Sequence, residues 1–572
     1  MEGKKTVRLL IAAMLLLGMG TPSATFARDA DQDRCAGSRD ILVLNGKIVT
    51  EDANDSIVSA VRIKEGRFAA VGERALSERG ECTRSIDVHG RTVVPGLIDN
   101  HNHFILLSLR PGHDTRLESA FSIADVQAAL KARASGLPAG AWITAIGGWI
   151  PAQFKENRLP TLSELDAAAP NNPVLVYQQF TGPSAVNTLA KNYFGSLSPA
   201  IVASATGQLN GSGQSIQALD ALRKIQTLDD QKQGSLDAMA YSAMVGVTTN
   251  VDMGGFIIPG LPDVQDFEPF EFDTSASWDP FTAYDAYLAL HQEAKITTRL
   301  RIFFLSMDQL PNNPLTTQRV MNAFDHFGDD IMRVSGIGEF VTAWPFLFGQ
   351  NGSSITPNYQ NALELVASRG WPFQQHSLSS NEDTFTLQTF QAVSAITPIV
   401  DLHWSIAHVP QITQTNISLA KSLGVGIAVH GFEYLSGAQA GVNPVGPPYR
   451  TILNSGAIVG AGSDSAQIST LNPWNMLYYM TTGKNSSGVL INPGQTLTRQ
   501  EAIRLYTAEN GWFSKEEDKL GSIEAGKLAD LVILNDDYFT VPDESIRRLR
   551  SVLTIVGGKV VHSTGEVRVF EQ

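Results

Sequence analysis

Two histidines stand one residue apart in the stretch VVPGLIDNHNHF, which runs from Val93 to Phe104. The apolar run before them predicts a buried strand that ends in His101 and His103. In an extended segment, residues i and i+2 point to the same side, so both imidazoles can bind one divalent metal ion. The alternative is a buried strand whose histidines are only hydrogen-bonded.

Further groups of the kinds that bind metals follow later apolar runs. Glu339 ends one such run, and His376 and His408 end two more. Asp464 follows the last run, in GAGSDS. Imidazoles and carboxylates are the ligands of zinc and similar ions. One histidine at a strand end is more often structural, but the recurrence of such groups at successive strand ends favours a metal site.

The middle of the chain alternates strand-like apolar runs with amphipathic segments of helical period. This alternation predicts an α/β fold, a (β/α)8 TIM-type barrel whose catalytic groups lie at the carboxyl ends of its strands. A large insertion is expected after the first strand, at about residues 105–245. The predicted strands are Val93–Asp99, Gly246–Asp252, Arg299–Ser306, Met332–Phe340, Pro372–His376, Trp404–His408, Gly424–His430 and Ile458–Ser463.

Both ends of the chain contain short alternating segments broken by turn pairs such as Asn45-Gly46 and Gly557-Gly558. They predict one small β-sandwich domain assembled from residues 38–92 and 520–570. The barrel and its insertion then occupy residues 93–519.

Residues 1–27 have the order of a secretory signal: basic residues, an apolar run from Leu9 to Met19, and small residues up to Ala27. We expect cleavage there, an exported protein that is periplasmic or secreted, and no stable membrane insertion afterwards. An uncleaved anchor is the alternative, although the run is short for a membrane span. Export would permit a disulfide between Cys35 and Cys82, with two unpaired thiols as the alternative.

The composition limits the possible partners. The chain has 572 residues, 43% of them hydrophobic, which is enough for a large core. A net charge of −14 without a basic run argues against nucleic acid and anionic membranes as partners. No G-x-S-x-G elbow is present, which disfavours serine hydrolysis. The oligomeric state stays open, a homo-oligomer included.

Four stretches together, VVPGLIDNHNHF, AHV, GAGSDS and LGSIEAGKLADLVIL, resemble the amidohydrolase superfamily of metal-dependent hydrolases. The segment from GGWIPAQF to NNPVLV is similar to its amidohydrolase-3 branch, which includes N-substituted formamide deformylases. The resemblance extends over nearly the whole mature chain. It implies hydrolysis of a C–N bond, in an amide, formamide or cyclic amide, by water that a metal ion activates.

The resemblance also implies roles for the candidate ligands. His101 and His103 would bind the more buried metal together with Asp464. His376 and His408 would bind a second metal. Asp464 would take the proton of the attacking water and return it to the leaving amine. The implied cofactor is one or two divalent ions per chain, with zinc as the first choice.

The group that joins the two metals departs from the pattern of many relatives, which use a carboxylated lysine. Between residues 233 and 420 the only lysine is Lys295, which precedes a strand. Glu339 is therefore the candidate bridge, as in other members of the superfamily. The alternative is a single metal, with Glu339 paired to a cation at the barrel rim.

A small-molecule substrate, apolar or aromatic, is expected because aromatic residues occur on loops assigned to the active end. Trp344 lies in the loop after Glu339, and Trp149 lies in the insertion, where ordinary packing explains it equally well. His430, at the end of the seventh run, is a candidate substrate contact, with a hydrogen bond at the rim as the alternative. Pro183, in FTGPSAVN, departs from the Asp-Gly-His that the branch often has.

Other functions on the same framework remain open. A deaminase or an esterase would use the same metals, since one framework supports varied chemistry. A non-catalytic exported binding protein is a further alternative, although the complete set of ligand types favours an enzyme.

Overall fold

The computed structural model describes residue 35 and residues 39–179, 182–209, 212–255, 282–306, 312–342, 357–436, 446–465 and 468–568. The predicted signal segment and Trp344 lie outside these residues. Among the helices of the described ranges, none has both the length and the apolar character needed to cross a membrane.

The strands of the described residues are numbered in chain order. They are β1 Asp40–Val49, β2 Ile57–Lys64, β3 Arg67–Val71, β4 Arg84–Asp87, β5 Thr92–Pro95, β6 Leu97–Asn102, β7 His113–Asp114, β8 Ile143–Ile146, β9 Val174–Tyr177, β10 Ser184–Val186, β11 Gln208–Leu209, β12 Val247–Asp252, β13 Arg299–Phe304, β14 Met332–Glu339, β15 Phe373–Ser377, β16 Ser405–His408, β17 Gly426–His430, β18 Val459–Gly462, β19 Leu531–Leu534, β20 Ser551–Val556 and β21 Lys559–Ser563.

Eight parallel strands form the barrel, in the order β18-β17-β16-β15-β14-β13-β12-β6. The last and first strands meet at their carboxyl ends, where Asp464 N donates to His101 O (2.8 Å) and His103 N donates to Ser465 O (2.9 Å). Nearer the amino ends, residues 505–510 hydrogen-bond to both strands. The predicted (β/α)8 barrel is confirmed, and seven of the eight predicted runs coincide with barrel strands to within one or two residues.

The first predicted strand, Val93–Asp99, is divided at Gly96, so that prediction was wrong. Val93 and Val94 belong to β5, which pairs with β1 and β19 outside the barrel. Gly96 N donates to Asp530 O (2.9 Å) in the terminal domain, whereas Leu97 N donates to Gly246 O (3.0 Å) in the barrel. The chain thus changes sheets within two residues, and a continuous apolar run does not reveal such a change.

Helices cover the outside of the barrel and form much of the insertion. The helix in TNISLAKSLG spans Gln414–Leu423, with the Thr413 side chain accepting from Asn416 N at its start and Gly424 at its end. The α-helices are Glu73–Ser77, Phe104–Ser108, Ile123–Ser135, Leu162–Ala168, Thr188–Leu197, Ser212–Arg223, Leu228–Val245, Asp285–Gln292, Pro314–Asn322, Pro357–Ser368, Ser380–Ser394, Gln414–Leu423, Glu433–Ser436, Tyr449–Ser455, Pro473–Thr482, Arg499–Arg504 and Asp543–Ile546. The 3-10 helices are Pro151–Gln153, Thr282–Tyr284 and Ala508–Ser514.

Strands from both chain ends form a second sheet, in the order β21-β20-β19-β5-β1-β2-β3, with β4 paired to β1. One apolar cluster includes side chains from both ends, among them Val43, Val61, Leu531 and Leu553, so the two ends share a core. Cys35 and Cys82 form a disulfide, which confirms the predicted pairing.

The insertion after the first barrel strand has a sheet of its own, in the order β11-β10-β9-β8-β7. Helices Ile123–Ser135 and Leu162–Ala168 contribute to an apolar core with strands β8 and β9. The helix Leu228–Val245 then leads the chain back into the barrel at β12.

Candidate metal centre

The carboxyl ends of five barrel strands bring the predicted ligands together. They are His101 in β6 and His103 just after it, Glu339 at the end of β14, His376 in β15, His408 at the end of β16, and Asp464 after β18. Because the strands are parallel, their carboxyl ends lie on one face of the barrel, where enzymes of this fold place their chemistry.

The Glu339 carboxylate contacts all four histidines. Its Oε2 lies 2.8 Å from His376 Nδ1 and 3.0 Å from His408 Nε2. The same oxygen is 3.6 Å from His101 Nε2, and Oε1 is 3.4 Å from His103 Nε2. Glu339 is only 2% exposed. One buried carboxylate therefore lies between the two histidine pairs.

Asp464 and Glu339 form a group of four candidate ligands with the first histidine pair, His101 and His103. Asp464 Oδ1 is 3.4 Å from His101 Nε2 and 3.5 Å from His103 Nε2. A tetrahedral zinc ion with bonds of about 2.0–2.2 Å holds its ligand atoms about 3.3–3.6 Å apart. The contacts of Asp464 and Glu339 with these two histidines, 3.4–3.6 Å, have that spacing.

The second pair is arranged more tightly. The contacts of His376 and His408 with Glu339 Oε2, 2.8 and 3.0 Å, are hydrogen-bond distances rather than the separation of two ligands of one ion. Glu339 therefore holds the second pair directly in this structure, while its contacts and those of Asp464 with the first pair have the spacing of zinc ligands.

Hydrogen bonds at Nδ1 orient the imidazole rings of the first pair. His101 Nδ1 is hydrogen-bonded to Gln374 Oε1, and His103 Nδ1 to Gly254 O (2.6 Å). Both partners are acceptors, so Nδ1 of each ring carries a proton, and Nε2 of each ring is the nitrogen that faces the carboxylates. His101 Nε2 is buried and has no hydrogen-bond partner among the described residues. An orphaned acceptor between two carboxylates fits a bound cation.

The electrostatics of the site also favour a cation. Burial alone would raise the pKa of Glu339, but His376 and the other facing histidines hold it well below its usual range. The pKa of Asp464 is likewise held well below its usual range against the effect of burial. Burial lowers the pKa of His408 to about 4, so this imidazole is neutral at pH 7. Two anionic carboxylates thus face imidazoles in a buried site.

The backbone is unusual at two of these positions. His408 has φ 71° and Asp464 has φ 51°. Positive φ is uncommon outside glycine, and residues held in such conformations cluster at functional sites. The surrounding structure must therefore stabilise the backbone conformation that directs these two side chains.

His430 lies inside the imidazole cluster. Its side chain is fully buried, and its ring centre is 4.5 Å from that of His101 and 4.8 Å from that of His408. Burial lowers its pKa well below the usual histidine range. The contacts described for His430 are with protein groups, and its role as a substrate contact stays a prediction.

Of the two aromatic residues predicted to face substrate, Trp149 is described, and its contacts lie within the insertion. Trp149 is fully buried in the insertion, where it stacks on Phe154 at 5.5 Å between ring centres and donates to Ala145 O (3.4 Å). These contacts favour the packing alternative. Trp344 lies outside the described residues.

Several residues that support the site were missed by sequence reasoning. Gln374 was one, although its position two residues before His376 in a strand was a usable signal. Asp99 shares the i, i+2 spacing of the histidine pair, but it binds Ser463 instead, accepting from the backbone N (2.8 Å) and from the hydroxyl. Asn510 was a third. Its Nδ2 donates to Ile98 O in β6 and to Ala461 O in β18, and no local pattern in the sequence marks it.

Comparisons with known proteins agree with this geometry. The sequence profile of the amidohydrolase family matches residues 84–562. An N-substituted formamide deformylase of Arthrobacter pascens is 24% identical over 561 residues, which cover 91% of this chain and 98% of the relative.

Solved structures share the fold. An uncharacterized metal-dependent hydrolase from Pyrococcus horikoshii has a TM-score of 0.57 at 19% identity, covering 88% of this chain and 99% of its own. The atrazine chlorohydrolase TrzN from Arthrobacter aurescens, solved with zinc, has a TM-score of 0.51 at 15% identity, covering 91% and 95%.

Proposed function

The chain belongs to the amidohydrolase family, which makes it a metal-dependent hydrolase of carbon–nitrogen bonds, and we propose that it cleaves an amide, formamide or cyclic amide of a small molecule. The observation that carries the proposal is the contact of one buried carboxylate, Glu339, with all four candidate histidine ligands. The full-length similarity to a protein named as an N-substituted formamide deformylase supports this substrate class.

A divalent ion, zinc by preference, would be held by His101, His103, Asp464 and Glu339, whose spacing fits tetrahedral coordination. A second ion would use His376 and His408 with Glu339 as the shared ligand. When bound, such an ion lowers the pKa of a water molecule and polarises the scissile carbonyl.

Asp464 is the proposed proton carrier. The residue is 8% exposed, and its low pKa keeps the carboxylate ionised and able to accept a proton. It lies beside the first histidine pair, where attacking water and the substrate carbonyl would meet. We assign it two steps: accepting the proton of the water as the C–O bond forms, and donating it to the amine as the C–N bond breaks.

A substrate panel tests this function. Purified protein is assayed with N-substituted formamides, simple amides and cyclic amides, before and after chelation, with an ester and an aminopurine as comparison substrates. We expect amine release from at least one amide class, lost on chelation and restored by Zn²⁺. Turnover that survives complete metal removal, or turnover of the ester or aminopurine alone, would contradict the proposal.

We also propose that the protein is exported. The Cys35–Cys82 disulfide supports this, because such bonds persist in oxidising compartments. Mass spectrometry of protein recovered from the exported fraction is expected to show a chain that begins at Arg28. An intact amino terminus and reduced cysteines in protein recovered from the cytoplasm would contradict export.

A further inference from the structure

Asn510 spans the seam between the first and last barrel strands. Its Nδ2 donates to Ile98 O (2.6 Å) in β6 and to Ala461 O (2.7 Å) in β18. Both partners are carbonyl oxygens, so the amide nitrogen must face them. The orientation of the Asn510 amide is therefore set by the backbone, and its Oδ1 must act as an acceptor on the other side.

Asn100 donates a hydrogen bond to that oxygen. Its Nδ2 lies 3.0 Å from Asn510 Oδ1, and only a donor can be placed there. Asn100 Oδ1 is thereby turned toward His430 Nε2, at 3.4 Å. Two glycines of β18 make room for these amides. A Cβ at Gly460 would lie 2.2 Å from Asn510 Oδ1, and a Cβ at Gly462 would lie 2.5 Å from Asn100 Oδ1.

The order of donors and acceptors continues at His430. Because its Nε2 faces an acceptor, Nε2 carries the proton and Nδ1 keeps the lone pair. That lone pair faces two groups of His408, the backbone N at 3.0 Å and the ring Nδ1 at 2.9 Å. The backbone N donates to it, so His430 holds the backbone of His408 in position. From that position His408 Nε2 reaches Glu339 Oε2, 3.0 Å away.

We propose that Asn510, Asn100 and His430 form a hydrogen-bond chain that positions His408 as a metal ligand. This inference rests on the proposed function, since it assigns His408 to the metal centre. The three are positioning residues that act through His408. His430, on this account, is turned toward the protein rather than toward substrate.

Substitutions at His430 separate polarity from packing. His430→Gln keeps an acceptor for His408 and a donor for Asn100, whereas His430→Leu keeps bulk and loses both. Partners behind a metal-bound histidine typically contribute about 10- to 100-fold in metal affinity. We expect His430→Leu to weaken Zn²⁺ binding by about that factor, and His430→Gln to stay within about threefold of wild type. Equal loss in both variants, or no loss in His430→Leu, would overturn the chain.

A measurement on the metal-free wild-type protein tests the direction of the hydrogen bonds. With ¹⁵N-labelled histidine, the His430 signals are assigned by their absence in His430→Gln. We expect a protonated Nε2 and an unprotonated Nδ1 on His430. An unprotonated His430 Nε2 would overturn the proposal. Wild-type protein that shows this tautomer but binds no divalent ion would instead count against the proposed function alone.

Discussion

Replacing Asp464 by asparagine tests the proposed proton carrier with little change in shape. Asp464 Oδ1 is 3.4 Å from His101 Nε2 and 3.5 Å from His103 Nε2, and Oδ2 is 3.6 Å from His408 Nδ1. The amide oxygen of asparagine can occupy the Oδ1 position and keep a neutral ligand there. What the variant loses is the group that accepts and returns a proton.

The size of the effect follows from that loss. A positioned general acid–base group typically contributes about 10²- to 10⁴-fold in rate. At about 1.36 kcal/mol for each tenfold change, this is about 3–5 kcal/mol of activation free energy. We therefore expect kcat of Asp464→Asn to fall by about 10²- to 10⁴-fold, while most of the bound metal is retained.

The assay pairs steady-state kinetics on the best amide of the panel with elemental analysis of the same protein sample. Asp229→Asn is the control, because the Asp229 side chain is 95% exposed and lies in the insertion. Full turnover in Asp464→Asn would refute the proton-transfer assignment. Turnover lost in proportion to lost metal would show that Asp464 acts only as a ligand, which also contradicts it.

Three further predictions concern stability and packing. Cys35→Ser removes a disulfide that joins residues 47 apart in sequence. In the chain-entropy model we expect the free energy of unfolding, measured with urea, to fall by about 4 kcal/mol. A value equal to that of wild type would contradict this. Burial raises the pKa of Glu51 from 4.5 to about 7, so the folded state opposes its ionisation and loses stability as pH rises from about 4.5 to 7. Glu51→Gln should remove this pH dependence and gain about 3 kcal/mol at pH 8 with little change at pH 4, and unfolding curves that keep the wild-type pH dependence would refute it. Gly462→Ala puts a Cβ 2.5 Å from Asn100 Oδ1 and 2.8 Å from the backbone N of His101, so we expect about 1–3 kcal/mol of destabilisation and weaker metal binding, checked by thermal unfolding and a Zn²⁺ titration; wild-type values in both would contradict the packing described.

The barrel and the six candidate ligands could be predicted from sequence because each ligand directly ends, or closely follows, an apolar run. In a parallel barrel, the carboxyl ends of all strands lie on one face, so sequence position alone indicates that His101, Glu339 and Asp464 come together. The disulfide could also be predicted, since the sequence contains only two cysteines.

The groups behind the ligands could not be predicted by this reasoning. Asn510 lies 410 residues from Asn100, and the two meet only because the barrel closes between its first and last strands. The division of the first strand at Gly96 depends on hydrogen bonds to Asp530 and Gly246, which are equally remote in sequence. Trp149 shows the converse limit, because an aromatic residue in an insertion has the same local pattern whether it packs or binds.

The most direct test of the central claim is the metal content of Glu339→Ala beside that of the wild type, with Glu364→Ala as the matched control on the outer helix Pro357–Ser368. Because Glu339 contacts both histidine pairs, its loss should empty the whole centre. We predict at least one divalent ion per chain in the wild type and in Glu364→Ala, and none in Glu339→Ala after gel filtration. A folded Glu339→Ala protein with the wild-type metal content would contradict the claim.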